Sequence, residues 1–110
     1  ETDLAAERLA EQGTSAEVID VACLKPLDLD TLEASVRKTG LCVIVHEAAK
    51  TAGFGAEIAA QAMSECFYHL EAPVLRVGGY NLPYPPSRFE EHFLPDLDRI
   101  LDSVDKSLAF

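Results

Sequence analysis

LCVIVHEAAKTAGFGAEIAA, Leu41–Ala60, reads as a strand, a polar turn and the opening of a helix. Leu41–Val45 is continuously apolar, and a run without polar alternation marks a strand buried on both faces, as in the middle of a parallel sheet. A long helix follows over Gly53–Leu70, with Ile58, Ala59, Ala62, Met63, Cys66 and Phe67 predicted on its inner side. Upstream, Asp30 reads as an N-cap, with Glu33 completing a capping box, and the helix it opens carries Leu32 and Val36 and stops at Gly40. Before that, Ala16–Leu24 holds Val18, Ile19, Val21 and Cys23, a short β-rich run ended by Pro26. Leu4–Gln12 has helical spacing, and Gly13 follows as its stop. Downstream, Val74–Val77 reads as a strand after Pro73, and Gly78–Arg88 as a loop rich in Gly, Pro and Tyr. Pro95 then precedes a last helix with Leu97, Ile100, Leu101, Val104 and Leu108 on one stripe.

Helices and strands therefore alternate, which predicts one α/β domain over residues 1–110, a three-layer sandwich with a mostly parallel sheet. A doubly wound domain of this size usually has more strands than three. The chain opens on a helix, with Glu1–Asp3 as its first residues, so it reads as a fragment whose first strand is missing.

The 110 residues carry nine Lys and Arg against nineteen Asp and Glu, a formal charge of −10. Phosphate backbones need a basic footprint, so this balance speaks against nucleic acid and for a basic partner on an acidic face. No apolar run approaches the ~20 residues of a membrane span. Cys23, Cys42 and Cys66 are isolated, fit no zinc spacing, and read as free core thiols.

His46 and Glu47 follow the central strand, and ligands of open α/β sheets gather at the carboxyl ends of strands. His46 is thus open to two readings, a ligand-touching group or a polar residue packed at a subunit boundary. The zinc protease pattern fails, since Lys50 stands where a second histidine is needed. Gly53-Phe54-Gly55 precedes a helix whose amides could hold an anion. Ile58 occupies the place of the third glycine of the dinucleotide fingerprint, so the alternative is a tight turn with close helix packing. Tyr80–Pro86, YNLPYPP, is stiffened by prolines and offers an apolar surface with Phe89 and Phe93 nearby. It either packs over its own domain or meets another subunit. Glu90, Glu91, Asp96, Asp98, Asp102 and Asp105 make the region of the last helix acidic, Glu71 lies between the long helix and a strand, and Phe110 reads as a natural chain end.

AEVIDVACLKPLDLDTLEASVRKTG (Ala16–Gly40), VIVHEAAKTAGFGAEIAA (Val43–Ala60) and LEAPVLRVGGYNLPYPP (Leu70–Pro86) together resemble the transketolase C-terminal domain family. Within it they resemble the C-terminal domain of the β subunit of thiamine-diphosphate-dependent decarboxylases in 2-oxo acid dehydrogenase complexes. The likeness covers nearly the whole chain; Ala52 departs from it, since many relatives read Gly there. It implies an assembly domain, not a catalytic one. Two α and two β chains would form the enzyme, which decarboxylates a branched-chain 2-oxo acid or pyruvate and passes the acyl group to lipoyl. Thiamine diphosphate and magnesium would lie between the α chain and another domain of the β chain, leaving this fragment with no catalytic, cofactor-binding or metal-binding residue. YPPSRFEEHFLPDLDRI leans toward the branched-chain type. The resemblance also implies docking of the peripheral-subunit-binding domain of the dihydrolipoyl acyltransferase, through Glu71 in LEAP and the terminal carboxylate of Phe110. His46, Glu47, Phe54, Tyr80 and Tyr84 become expected subunit contacts. The compartment would be the cytoplasm in a bacterium or the mitochondrial matrix in a eukaryote. The β subunit of acetoin dehydrogenase is an alternative, as is a single-chain transketolase-like or deoxyxylulose-phosphate-synthase-like enzyme, which needs no acyltransferase. A free-standing ligand-binding domain using His46 and the Gly53 helix is a further one.

Overall fold

A computed structural model describes residues 1–110. Its elements run α1 (Thr2–Glu11), α2 (Leu29–Thr39), β1 (Val43–Ala49), α3 (Phe54–Cys66), β2 (Leu75–Gly79), α4 (Glu90–Phe93) and α5 (Leu97–Leu108), with short 3-10 turns at Phe67–His69 and Ser87–Phe89. β1 and β2 pair in parallel, Val43 beside Leu75 and Val45 beside Val77. Successive side chains of a strand point to opposite faces. Val43 and Val45 accordingly meet the core of Ala5, Val77 and Ile100 under α1 and α5. On the other face, Cys42 lines a small apolar cavity with Val36, Ile58 and Ala62 of α2 and α3. Helices thus cover both faces of the sheet, which is why Leu41–Val45 has no polar alternation. No helix is long and apolar enough to cross a membrane.

The residues 16–24 are not a strand. Val18, Ile19 and Leu24 are exposed, and the one backbone–backbone hydrogen bond within residues 15–24 runs from the Ala22 N–H to the Asp20 carbonyl. A strand needs a hydrogen-bonded neighbour, and this β-rich stretch has none. It is held from the side instead, by the Ser35 hydroxyl donating to Glu17 at 2.5 Å and by a Lys38–Glu17 ion pair. Cys23 is therefore exposed, not a core thiol; Cys66 is fully buried and Cys42 half-buried. Burial, with Cys66 as a secondary influence, pushes the Cys42 thiol pKa up, which keeps it inert.

Caps and helix ends differ in detail from the sequence expectation. Asp28, not Asp30, caps α2: its carboxylate accepts from the Thr31 N–H at 3.1 Å and the Thr31 hydroxyl at 2.7 Å. Asp30 lies instead within the first turn of α2, where a carboxylate faces the positive end of the helix dipole. Gly40 closes α2 in the left-handed region at φ 76°. α3 stops at Cys66, so Phe67 leaves the helical stripe and is exposed, as is Met63. On α5, Asp96 caps the first turn through the Arg99 N–H, at 2.8 Å. Ile100 is buried there, but Leu108 is half exposed, and Ser107 takes the inner position at the helix end. Ala52 has φ 58°, a conformation that glycine adopts without strain.

Candidate functional site

The carboxyl end of the sheet carries His46 and Glu47, with Tyr80 just beyond the end of β2. β1 continues through His46 and Glu47 to Ala49, so both lie within the strand and not after it. The pairing passes from Val45–Val77 to Ala49–Gly79, which leaves two surplus residues on β1. Such a bulge re-aims side chains. Here it turns the imidazole of His46 inward and leaves Glu47 exposed.

The His46 ring is enclosed by glycines from three elements. A Cβ on Gly55 at the start of α3 would collide with Nε2 and Cδ2 of the ring. One on Gly53 would stand 3.0 Å from Cε1, and one on Gly78 of β2 would stand at the same distance. His46 Nδ1 lies 2.9 Å from the Ala48 carbonyl, a contact that the Nδ1–H tautomer makes as a hydrogen bond, and Nε2 is buried without a partner. The space left by the glycines of GFG is therefore filled by an imidazole, and does not fit a diphosphate. No three His, Cys, Asp or Glu side chains converge as metal ligands would.

Beside this packed centre is an aromatic surface. Phe93, buried, receives Tyr84 edge-on at 5.2 Å and Tyr80 at 6.3 Å. The Arg99 guanidinium lies 4.9 Å over the Tyr80 ring and donates to the Gly78 carbonyl at 2.5 Å. The Tyr84 hydroxyl donates to Glu90, and that carboxylate, aided by partial burial, pushes the phenol pKa up to about 12. Asn81 ties the loop to Thr51, accepting from its N–H at 3.2 Å and donating to its hydroxyl at 2.7 Å. Tyr80, Leu82, Tyr84 and Phe89 remain about half exposed or more on this framework. Phe54, at 37% exposure, borders the same end.

Glu71 and Phe110 lie apart from that group. The Glu71 N–H donates to the Gly40 carbonyl at 2.8 Å, and the Glu71 side chain lies against Gly40, at the end where β1 and β2 begin. α5 starts where β2 ends and carries the chain away from it to Phe110, which is 81% exposed. Neither Arg99 nor the exposed pair Phe67–Tyr68 was expected from the sequence at any site. An arginine one turn after a capping aspartate was the available signal for Arg99. Phe67 and Tyr68 fall inside Gly53–Leu70, which reads as one helix, so the turn that exposes them has no signal of its own.

Comparison with known proteins adds to this geometry. Residues 2–100 match the family described as "Transketolase, C-terminal domain". The chain is similar, at 50% identity over 97% of its length, to the 3-methyl-2-oxobutanoate dehydrogenase subunit beta of Mycobacterium tuberculosis, covering 31% of that protein. It is 49% identical over 96% of its length to the pyruvate dehydrogenase E1 component subunit beta of Leifsonia xyli, covering 32% of it. Among solved structures it superposes with a split gene transketolase, described as an inactive beta4 tetramer, with a TM-score of 0.79 and 30% identity, over 96% of this chain and 33% of that one. The chain thus spans about a third of the length of the curated relatives it matches.

Proposed function

Because this chain belongs to the transketolase C-terminal domain family, we propose that it serves as the assembly and docking domain of the β subunit of a 2-oxo acid dehydrogenase. The whole enzyme acts on a branched-chain 2-oxo acid or on pyruvate, the substrates in the names of its relatives. Its thiamine diphosphate and magnesium belong to other domains, and no catalytic role is assigned to a residue of this chain. The observation that carries this reading is the His46 ring filling the space among Gly53, Gly55 and Gly78. The carboxyl end of the sheet, where α/β proteins bind ligands, is used for packing and for an exposed aromatic rim.

That rim, with Tyr80, Tyr84, Glu47 and Phe54, is the contact to the α subunit and the second β subunit. His46 supports it from beneath. Glu71 and the Phe110 carboxylate receive the basic peripheral-subunit-binding domain of the dihydrolipoyl acyltransferase. An acidic chain of net charge −10 meeting a basic domain associates quickly and in a salt-dependent way. The enzyme works in the bacterial cytoplasm or the mitochondrial matrix.

Calorimetric titration of the chain with a peripheral-subunit-binding domain tests this. Binding at low salt that weakens at high salt, and that is lost in Glu71→Lys and in a chain ending at Ala109, is the expected result. Absence of binding at either salt would remove the acyltransferase as partner.

A further inference from the structure

Three large apolar side chains stand in solvent at the end of α3: Tyr68 is 96% exposed, Phe67 60% and Met63 41%. They follow one another in space as well as in sequence. Met63 and Phe67 are four residues apart, and the Phe67 and Tyr68 rings meet edge-on at 5.4 Å. The turn that presents them is anchored. Cys66, fully buried, precedes it, and the Leu70 N–H closes it on the Cys66 carbonyl at 3.1 Å and the Phe67 carbonyl at 3.3 Å. A rigid aromatic pair loses little freedom on binding, and exposed aromatics of this kind act as interface anchors. Nothing in the fold of the chain itself uses them.

The same turn leads directly to Glu71, which is exposed and held against Gly40. The nearby cation is already engaged, since Arg37 donates to Glu33 at 3.1 Å and to the Glu65 carbonyl at 3.2 Å. Glu71 makes no ion pair within the chain and is open to an outside partner. Glu65, also exposed, adds to it. A second copy of this acidic chain would bring like charges together here. A partner with an apolar side chain flanked by Lys or Arg matches both parts of the surface.

We propose that Met63, Phe67 and Tyr68 form the apolar half of the docking face whose charged half is Glu71. The inference rests on the docking reading above and adds to it the residues that supply salt-independent affinity. Charge sets the approach, and the aromatic pair holds the bound partner.

The test uses the same titration with Tyr68→Ala and Phe67→Ala, both changes at exposed positions that leave the core intact. Each weakens binding by about tenfold or more, to a similar extent at low and high salt. The Glu71→Lys loss, in contrast, shrinks as salt rises. Two results overturn the inference while leaving the docking reading in place. One is binding that is lost in Glu71→Lys but unchanged in both aromatic variants. The other is self-association of the native chain in sedimentation that Tyr68→Ala abolishes, which would assign the patch to a second copy. Failure of the native chain to bind at any salt overturns both readings.

Discussion

A single imidazole packs against three glycines of this chain. His46 needs room against α3, against the loop before it and against β2, and Gly55, Gly53 and Gly78 supply it. Adding a methyl group at Gly55 forces the ring or the helix to move, an overpacking that costs about 1–3 kcal/mol. The cost belongs to the pair and not to the glycine. Gly55→Ala should lower the urea midpoint of the native chain, and the same change made in a His46→Ala background should cost well under half as much. Equal costs in the two backgrounds would show that the ring is not what the glycine accommodates.

At the scale of elements, the segments whose partners lie within the chain were the legible ones. Val43–Val45, Ile100 and the Gly40 stop were all readable, because apolar spacing and a left-handed glycine report directly on burial and on a helix end. Residues 16–24 were not, since β-branched residues describe a willing strand but not whether a neighbour exists to pair with it. The bulge in β1 was also out of reach: it arises from how two strands align, which neither strand records alone. His46 and Glu47 read as residues beyond the strand end and lie within β1 instead, and the glycine enclosure needed three elements in register. The cap of α2 by Asp28 has a measurable consequence. Hydrogen bonds from the Thr31 hydroxyl and N–H lower the pKa of Asp28 below the usual carboxylate range. Its contribution to stability is then present above the unfolded value of about 3.9 and is lost as pH falls through the lower folded value. Asp28→Asn keeps an acceptor without a titrating group, so stability measured against pH by urea unfolding should lose part of its acid dependence. An unchanged acid limb would remove Asp28 from the list of its causes.

Across the whole molecule, order is unevenly distributed. One face of the sheet is closed by α1 and α5 and the other by α2 and α3, whereas residues 15–24 have almost no backbone hydrogen bonds. Protection of amides follows local opening. In deuterium exchange followed by mass spectrometry, residues 15–24 should label orders of magnitude faster than Val43–Val45 and Leu75–Val77. Slow labelling there would mean that this stretch is paired in solution. The glycine enclosure, finally, bears on how such a domain can change over generations. Its four residues come from a strand, a loop, a helix and a second strand, so no local rearrangement frees them. A side chain arriving first at Gly55 meets the imidazole, while a smaller residue arriving first at position 46 opens room at Gly55; Gly53 stays closed, because a Cβ there overlaps the Ala49 carbonyl. At Gly55 the order of substitution is therefore one-way: histidine must leave before that glycine can drift, and once it has drifted histidine cannot return.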